Sequence, residues 1–508
     1  MGLLTVSKEA ADGTTRRHAW DPPLAKERKS VLKMIAAAVA LLLVAQWTVI
    51  SVYFGSYFRQ TENAYRLTVR ILDMDSQYAS QVAGAPAAVL GPAVVQAAEM
   101  NAAMKPEYHL GWQIAPSSEL QTLRVEQGGQ GLNASDYARN LVTNQDVWAV
   151  ILINPNATVL ATQAAQQGSS SYDPRGAISF FYTEARNIYA SQQYVVPLST
   201  QLLSSAIAQA SSQFASQIVS AAAPGGGNAG GNITALNSAL NGKALAYPFW
   251  YSQFNLRPYD QLAGEAATTA GEIYLVIFTF FMSPIWFKAF EPMRRKLTLT
   301  SQMLVQWGVP VACYFWISLN YSLVTLAFHT DFTRQFSYGG FPLFWANNFT
   351  AMTALGLVME TMLRVVGPLF FPFFLIFWVV WNVSTAFLDL SAMDPFYSYG
   401  FAFPVWNSVD TGKAIIYGTK NHLTQNFVVN LGWVIGGTIA LLSVAAYKRK
   451  QQDKAEYNER VEKVEHERQE KREKRLNGEE DARAHEQHAS EEDTTAGSDD
   501  SSDATRRV

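Results

Sequence analysis

The sequence has almost no cysteine and lacks the motifs that identify common enzyme classes. Its one cysteine, Cys313, excludes an intrachain disulfide, so any folded domain must be stabilised by its own core. The phosphate-binding pattern G-x-x-x-x-G-K-[ST], the zinc pattern H-E-x-x-H and the nucleophile pattern G-x-S-x-G are all absent. We therefore predict no enzymatic activity, no cofactor and no metal site. We also predict no nucleic-acid partner.

The chain also lacks a strong net charge, and its mean hydropathy of -0.01 is that of a soluble protein. This average hides long apolar segments diluted by polar tails. Crossing about 30 Å of hydrocarbon takes about 20 apolar residues in a helix. Six segments approach that length: Met34–Phe54, Glu272–Ala289, Met303–Phe328, Phe344–Leu363, Gly367–Leu388 and Phe427–Tyr447. The sequence thus predicts an α-helical membrane protein with one N-terminal and five C-terminal transmembrane helices.

Basic residues flank these segments on one side only. They are Arg16, Arg17, Lys26, Arg28 and Lys29 before the first span, Arg294, Arg295 and Lys296 after the second, and Lys448, Arg449 and Lys450 after the sixth. Basic flanks mark the cytosolic side. Both termini are therefore predicted to be cytosolic. The first span is interpreted as an uncleaved anchor rather than a cleaved signal peptide, because its apolar run is long and no clear cleavage site follows.

The segment between the first two spans is predicted to be an exocytoplasmic α/β domain. Leu67–Asp73 and Val147–Ile153 have the composition of strands, and the second is an unbroken apolar run typical of a strand covered on both faces. Helices are expected between Tyr182 and Ser220, and Pro224–Gly231 has the composition of a flexible linker. Three sequons are candidates for glycosylation: Asn133, Asn156 and Asn232.

The predicted parts are a cytosolic tail (1–33), a first membrane helix (34–54), the α/β domain (55–271), a five-helix membrane domain (272–447) and a charged cytosolic tail (448–508). In the last, Glu and Lys or Arg often stand three or four residues apart, which favours a solvated helix over a coiled coil. From His488 onward the composition predicts disorder.

Ionisable and amide side chains inside the spans are the candidate functional residues, because polar groups in hydrocarbon are costly. Glu360 and Arg364 are four residues apart and can pair, either as a gate or substrate contact or as a structural pair. Asn320, Asn347, Asn348 and Asn382 can bond neighbouring helices or line a path. Outside the spans, Asp73 and Asp75 are interpreted as a strand end and helix cap rather than as an acid/base pair.

The order of local motifs along the chain resembles a known family. They are Tyr65–Asp75, Leu110-Gly-Trp112, Trp148–Thr158, Arg257-Pro258-Tyr259 and Gly271–Phe281. With one span, a large outer domain and five further spans, the chain resembles the fungal nitrosoguanidine-resistance family of plasma-membrane proteins. The membrane part of that family is similar to type-2 ABC-exporter permeases and to the bacterial phage-infection protein group. The resemblance covers about residues 34–447.

The resemblance implies a plasma-membrane protein that contributes to resistance to toxic small molecules by export or exclusion. The alternative is a non-transporting protein that organises lipid distribution or trafficking. Membrane lipids and toxic small molecules are the expected partners, and a homo-oligomer or a separate ATPase partner stays open. The short cytosolic turn Glu291–Ser301 offers little surface for an ATPase. The family implies no catalytic residue.

Overall fold

The computed structural model describes residues 20–105, 109–125, 131–167, 169, 171–222, 243–294 and 296–496. The predicted linker Pro224–Gly231, the sequon residue Asn232 and the basic residue Arg295 lie outside this part of the chain.

The first apolar helix spans Ala25–Tyr57. It consists of α1 (Ala25–Ala45), a π-helical turn at Gln46–Ile50, and α2 (Ser51–Tyr57). Its 33 residues, at 1.5 Å rise each, exceed the hydrocarbon thickness. The predicted span Met34–Phe54 lies inside this helix.

A five-stranded sheet follows, within a region that we call the sheet domain (residues 64–268). Its strands are β1 (Thr68–Asp73), β2 (Gly111–Ile114), β3 (Ala149–Ile153), β4 (Ile178–Tyr182) and β5 (Tyr251–Asn255). Their order is β2-β1-β3-β4-β5, with β3 and β4 antiparallel and the other neighbours parallel. The two strands predicted from the sequence are thus confirmed, and as β1 and β3 they lie side by side.

Helices cover both faces of the sheet. They are α3 (Met74–Gln81), α4 (Leu90–Ala102), α5 (Ser117–Leu120), α6 (Ala134–Thr143), α7 (Ala157–Gln167), α8 (Ile188–Ala190), α9 (Val196–Ala222), α10 (Lys243–Ala246) and α11 (Leu262–Thr268). Ile151 of β3 packs with residues of α4, α7 and α9, whereas Val150 and Leu152 pack with residues of α5 and α6. Successive strand residues point to opposite faces, so both faces of β3 require apolar side chains.

Further helices follow: α12 (Ala270–Arg294), α13 (Leu299–Ala327), α14 (Thr333–Phe336), α15 (Gly340–Val383), α16 (Pro404–Tyr417) and α17 (Leu423–Ala496). In the described chain, five helical segments are long and apolar enough to cross a membrane: Ala25–Tyr57, Ala270–Arg294, Leu299–Ala327, Thr333–Val383 and Leu423–Arg472. This is a multi-pass membrane protein. The sequence predicts six spans rather than five because the predicted spans Phe344–Leu363 and Gly367–Leu388 both fall largely within the single helix α15.

Helix α15 is interrupted at Gly367, whose φ of 79° and ψ of 166° are not helical. Glycine lacks the Cβ that makes a positive φ costly, and Pro368 also disfavours the helical conformation for the residue before it. Gly367 therefore divides α15 into two helical pieces, 340–366 and 368–383. The break falls between the predicted spans Phe344–Leu363 and Gly367–Leu388, where the sequence predicts a tight turn at Arg364–Gly367.

Helix α16 was not predicted: it lies between the predicted spans Gly367–Leu388 and Phe427–Tyr447, in the segment Asp389–Asn426 that we interpret from the sequence as a loop. Pro404 begins the helix, and Gly418 ends it with a left-handed φ of 70°. Val405 and Val409 are buried in one cluster with Val276 of α12 and Leu355 of α15. The helix was missed because it is shorter than a span and its polar residues interrupt the apolar pattern.

The described residues divide into two compact units, one within 1–296 and 306–441 and the other within 297–305 and 442–508. Within the second, Arg449 Nη1 donates to Gln302 Oε1 at 3.2 Å. Side chains from Asp453 to Arg472 are exposed, as predicted for a solvated helix. Helix α17 continues to Ala496, past His488 where disorder is predicted, and residues 497–508 lie outside the described chain.

Candidate functional site

Two carboxylates are fully buried among the membrane helices. Glu272 lies in the first turn of α12 and is 1% exposed, and Glu360 lies in α15 and is 0% exposed. Ionisable groups at such positions are costly and mark candidate functional sites. The surroundings of each acid decide what it can do.

Glu272 joins three helices through one hydrogen-bonded chain. Ser408 Oγ of α16 donates to Glu272 Oε1 at 2.7 Å, and Asn347 Nδ2 of α15 donates to Ser408 Oγ at 2.8 Å. The second oxygen, Oε2, has no hydrogen-bond partner among the described residues. No basic side chain of the described chain lies within ion-pair distance of this acid. Glu272 can therefore accept a further hydrogen bond or a proton.

Glu360 pairs with Arg364, as the sequence predicts. Arg364 Nη1 donates to Glu360 Oε2 at 2.6 Å, and the arginine Cζ lies 5.8 Å from the centre of the Phe287 ring. The other carboxylate oxygen, Oε1, and the nearby Tyr314 hydroxyl are buried and make no hydrogen bond of normal geometry among the described residues, although the Ser283 side chain interacts with both residues. The pair is thus only half satisfied, and its role stays a prediction.

The asparagines of the spans differ in what they contact. Asn348 Nδ2 donates to Ser322 Oγ of α13 at 2.9 Å, and Asn382 Oδ1 accepts from the Val405 backbone N–H at 3.4 Å. These two, like Asn347, bond neighbouring helices. Asn320 is exposed and donates to Trp316 O of its own helix at 2.8 Å. It lies two residues from buried Ser322, and so on the opposite face of α13.

Glycines let the membrane helices approach closely. A Cβ at Gly356 of α15 would overlap the Tyr314 ring of α13, and a Cβ at Gly271 of α12 would overlap the Tyr321 hydroxyl. Small residues at helix contacts permit this packing in membranes. The close approach brings the polar side chains of α12, α13 and α15 within reach of one another.

An apolar groove of about 490 Å³ lies between α15 and α17. Its lining is Val358, Thr361, Met362, Ala402, Val429, Gly432, Trp433, Gly436, Gly437 and Ala440. On α15, Val358 and Met362 lie about 160° around the helix axis from Glu360, and Thr361 lies about 100° from it, given about 100° of rotation for each residue. One helix thus carries the apolar groove on one face and a buried acid on the other.

The two aspartates after β1 have structural partners. The Ser76 backbone N–H donates to Asp73 Oδ1 at 2.9 Å, so Asp73 caps α3, and Thr158 donates to both oxygens of Asp75. Burial raises the pKa of both carboxyls. The interpretation as a strand end and helix cap is confirmed.

Two of the candidate glycosylation sites, Asn133 and Asn156, lie on loops of the sheet domain. Asn133 is exposed, and its side chain accepts a hydrogen bond from the Ser135 backbone N–H at 2.9 Å. Asn156 is half-buried, with a φ of 61°. Asn232 lies outside the described residues. Glycosylation of these sites stays a prediction.

Sequence reasoning placed Glu272 only at the edge of a span and did not single it out. The available signal was an acid immediately followed by the apolar run Ile273–Phe281. Its partner Ser408 could not be found, because it is 136 residues away on a helix that was not predicted.

Comparison with known proteins adds a family and a relative. No solved structure matches the chain. An uncharacterized endoplasmic reticulum membrane protein of Saccharomyces cerevisiae is 26% identical over 217 residues, which cover 42% of each chain. The model of DUF3533, described as a protein of unknown function, matches residues 38–439. The match includes the sheet domain and the membrane helices with both buried acids, and the chain therefore belongs to the DUF3533 family.

Proposed function

We propose that this protein exports hydrophobic small molecules from the membrane, using protonation of buried carboxylates, and thereby contributes to resistance to toxic compounds. The observation that carries the proposal is the pair of buried acids, Glu272 and Glu360, each with one oxygen that makes no hydrogen bond of normal geometry among the described residues. Proton relays in membrane proteins are built from such groups.

The apolar groove supplies the proposed binding surface. Its volume of about 490 Å³ lies within the range typical of small-molecule sites. Since Glu360 lies on the opposite face of the same helix, a shift of the 340–366 piece would change both the groove and the surroundings of the acid. This links proton uptake to binding without a separate ATPase, which remains the alternative energy source.

We further propose a six-span topology with both termini cytosolic. The non-helical Gly367 supports two spans within α15, and the basic residues near Lys296 and Lys448 support the orientation. The native Cys313 is first replaced by alanine, and single cysteines are then introduced at Val365 and Tyr338, which are 51% and 92% exposed. Six spans require labelling of these two cysteines from opposite sides of the membrane. Labelling from the same side contradicts the topology.

The membrane in which the protein works is a separate part of the proposal. The family resemblance implies the plasma membrane, whereas the name of the yeast relative gives the endoplasmic reticulum for that protein. A fluorescent fusion to the C-terminus, imaged with markers for both membranes, distinguishes the two. Signal confined to the endoplasmic reticulum contradicts the plasma-membrane location.

The test of export uses the purified full-length chain in lipid vesicles loaded with a lipophilic fluorescent dye. We expect dye flux that increases when a pH gradient is imposed and that is absent from protein-free vesicles. The second candidate, a non-transporting lipid organiser, is favoured by the exposure of the groove's glycines at 432 and 436. Altered lipid exposure between leaflets without dye flux would support that candidate and contradict export.

A further inference from the structure

A charged cavity lies where the sheet domain meets the membrane helices. Its volume is about 400 Å³, and we call it the junction cavity. Two hydrogen bonds connect the sheet domain to the segment that follows the break in α15. Asn187 Nδ2 donates to Phe387 O at 3.0 Å, and Arg66 Nη1 donates to Met393 O at 2.8 Å. These bonds fix the cavity between the sheet domain and the segment that follows α15.

Arg186 forms one basic wall of the junction cavity. Its Cζ lies 4.0 Å from the centre of the Trp148 ring, and its Nη1 donates to Gln145 O at 3.2 Å. Its nearest carboxylate, Asp389, is 4.0 Å away, the outer limit of an ion pair. The guanidinium is therefore positioned by an aromatic ring and carbonyls rather than neutralised by a close acid.

Lys413 of α16 forms the second basic wall. Its ammonium donates to Arg186 O at 3.4 Å, and no carboxylate of the described residues lies within ion-pair distance. Burial lowers the pKa of Lys413, which Asp410 and Asp389 partly oppose. Lys413 is half-buried, and a cation that is partly removed from water with a single long hydrogen bond is stabilised when an anion approaches it.

Two acids and a buried threonine hydroxyl also line the cavity. Asp389 accepts from the Ser391 backbone N–H at 2.9 Å, and Asp410 accepts from His422 Nδ1 at 3.2 Å. The Thr419 hydroxyl is 4% exposed and has no hydrogen-bond partner among the described residues, although it lines the cavity. The cavity thus presents both signs of charge and an unused buried hydrogen-bonding group.

We propose that the junction cavity binds a zwitterion that carries a phosphate and an ammonium group. The phosphate lies against Arg186, Lys413 and the Thr419 hydroxyl, and the ammonium lies toward Asp389 and Asp410. An anion without an ammonium would leave both acids facing it, and a simple cation would meet two basic groups. The matched charges therefore favour a ligand with one group of each sign.

The chemistry is shared by phospholipid headgroups and by their soluble counterparts. Phe401, which is 47% exposed and packs against Trp406 with ring centres 4.8 Å apart, also lines the cavity. Trp406 lines the cavity as well, and tryptophan beside membrane helices typically lies at the headgroup level because its ring is apolar and its N–H is polar. This position favours phosphatidylethanolamine or phosphatidylcholine as the source. The inference does not depend on export, because binding is measured without flux.

Binding is tested with the detergent-purified full-length chain by native mass spectrometry. The lipids are phosphatidylethanolamine, phosphatidylcholine and the anionic phosphatidylglycerol, and glycerophosphoethanolamine is the soluble competitor. We expect both zwitterionic lipids to bind more tightly than phosphatidylglycerol. Competition by the soluble compound at concentrations similar to the lipid would assign the site to a free zwitterion, and weak competition would assign it to a headgroup; both support the shared chemistry.

Three variants test whether the zwitterion binds in the junction cavity. Lys413→Met should weaken zwitterion binding by about tenfold, because it removes a charge-assisted contact. Lys420→Met makes the same change outside the lining and should leave binding unchanged. Thr419→Val keeps the buried shape and should weaken binding by a smaller factor, which guards against misfolding of the first variant. Equal binding of all three lipids, or unchanged binding in both Lys413→Met and Thr419→Val, would overturn the proposal.

Discussion

Asp75 of the sheet domain and Glu272 of the membrane helices are equally buried, each 1% exposed, but differ in their partners. Thr158 donates to Asp75 Oδ1 through its backbone N–H at 2.9 Å and to Oδ2 through its hydroxyl at 2.6 Å. Glu272 accepts one bond from Ser408, and its second oxygen has no partner in the described chain.

This difference in hydrogen bonding distinguishes an acid with a structural role, Asp75, from an acid with a candidate functional role, Glu272. Asp75, with both carboxylate oxygens hydrogen-bonded, connects the first turn of α3 to the start of α7 and has no oxygen without a partner. A buried acid with an unused oxygen costs free energy, since unpartnered polar groups are expensive away from water. A buried carboxylate with an oxygen that has no partner is therefore a candidate for proton transfer or ligand binding.

The largest expected effect is on the sheet domain. Asp75→Ala leaves the Thr158 N–H and hydroxyl without their acceptor, at about 1–3 kcal/mol for each buried group. Hydrogen exchange of the full-length protein in detergent should then be faster in β1 and β3. Asp75→Asn keeps one acceptor oxygen and should have a smaller effect. Unchanged hydrogen exchange in Asp75→Ala would contradict a structural role for Asp75.

The pH dependence of stability is the next test. Burial raises the pKa of Asp73 above its ordinary value of 3.8, so its protonated form is favoured in the folded state. Its stabilising contribution is present below about pH 4 and is lost as the pH rises through the raised pKa, by about 1.4 kcal/mol for each pKa unit.

Asp73→Asn is the variant that isolates this contribution, because asparagine can still cap α3. Relative to the wild type, it should become more stable as the pH rises from 4 to 7, as measured by thermal unfolding in detergent. A stability difference that is constant over this range would contradict the assignment.

Glu272→Gln tests whether the buried acid of the membrane helices contributes to stability. Glutamine retains a side-chain oxygen that can accept from Ser408, so the free energy of unfolding should change by less than about 1 kcal/mol. The measurement is the thermal unfolding midpoint in detergent. A loss of stability as large as that of Asp75→Ala would mean that Glu272 has a structural role, as Asp75 does.

The smallest effect is expected at Asn320. Its exposed side chain bonds only its own helix, so Asn320→Leu should change stability by less than about 0.5 kcal/mol. Asn348→Leu is the matched comparison, because it breaks the bond to Ser322 between helices and should cost more. Equal unfolding midpoints for the two variants would contradict the distinction between the faces of α13.

Local patterns in the sequence predicted β1, β3, the apolar helices and the Glu360–Arg364 pair, because each depends on neighbouring residues. The Gly367 break lies at the predicted boundary between the spans Phe344–Leu363 and Gly367–Leu388. The contact between Glu272 and Ser408 was not predictable, because it depends on how helices far apart in the chain pack. The junction cavity was hidden for the same reason: Arg186 and Lys413 are 227 residues apart.

The most direct test of the central claim is dye flux in vesicles that contain wild-type protein, Glu272→Gln or the sheet-domain control Asp73→Asn. We expect a pH gradient to accelerate flux in the wild type and in Asp73→Asn, and we expect Glu272→Gln to abolish this acceleration while remaining folded. Gradient-driven flux that persists in Glu272→Gln would contradict a functional role for this unpartnered acid.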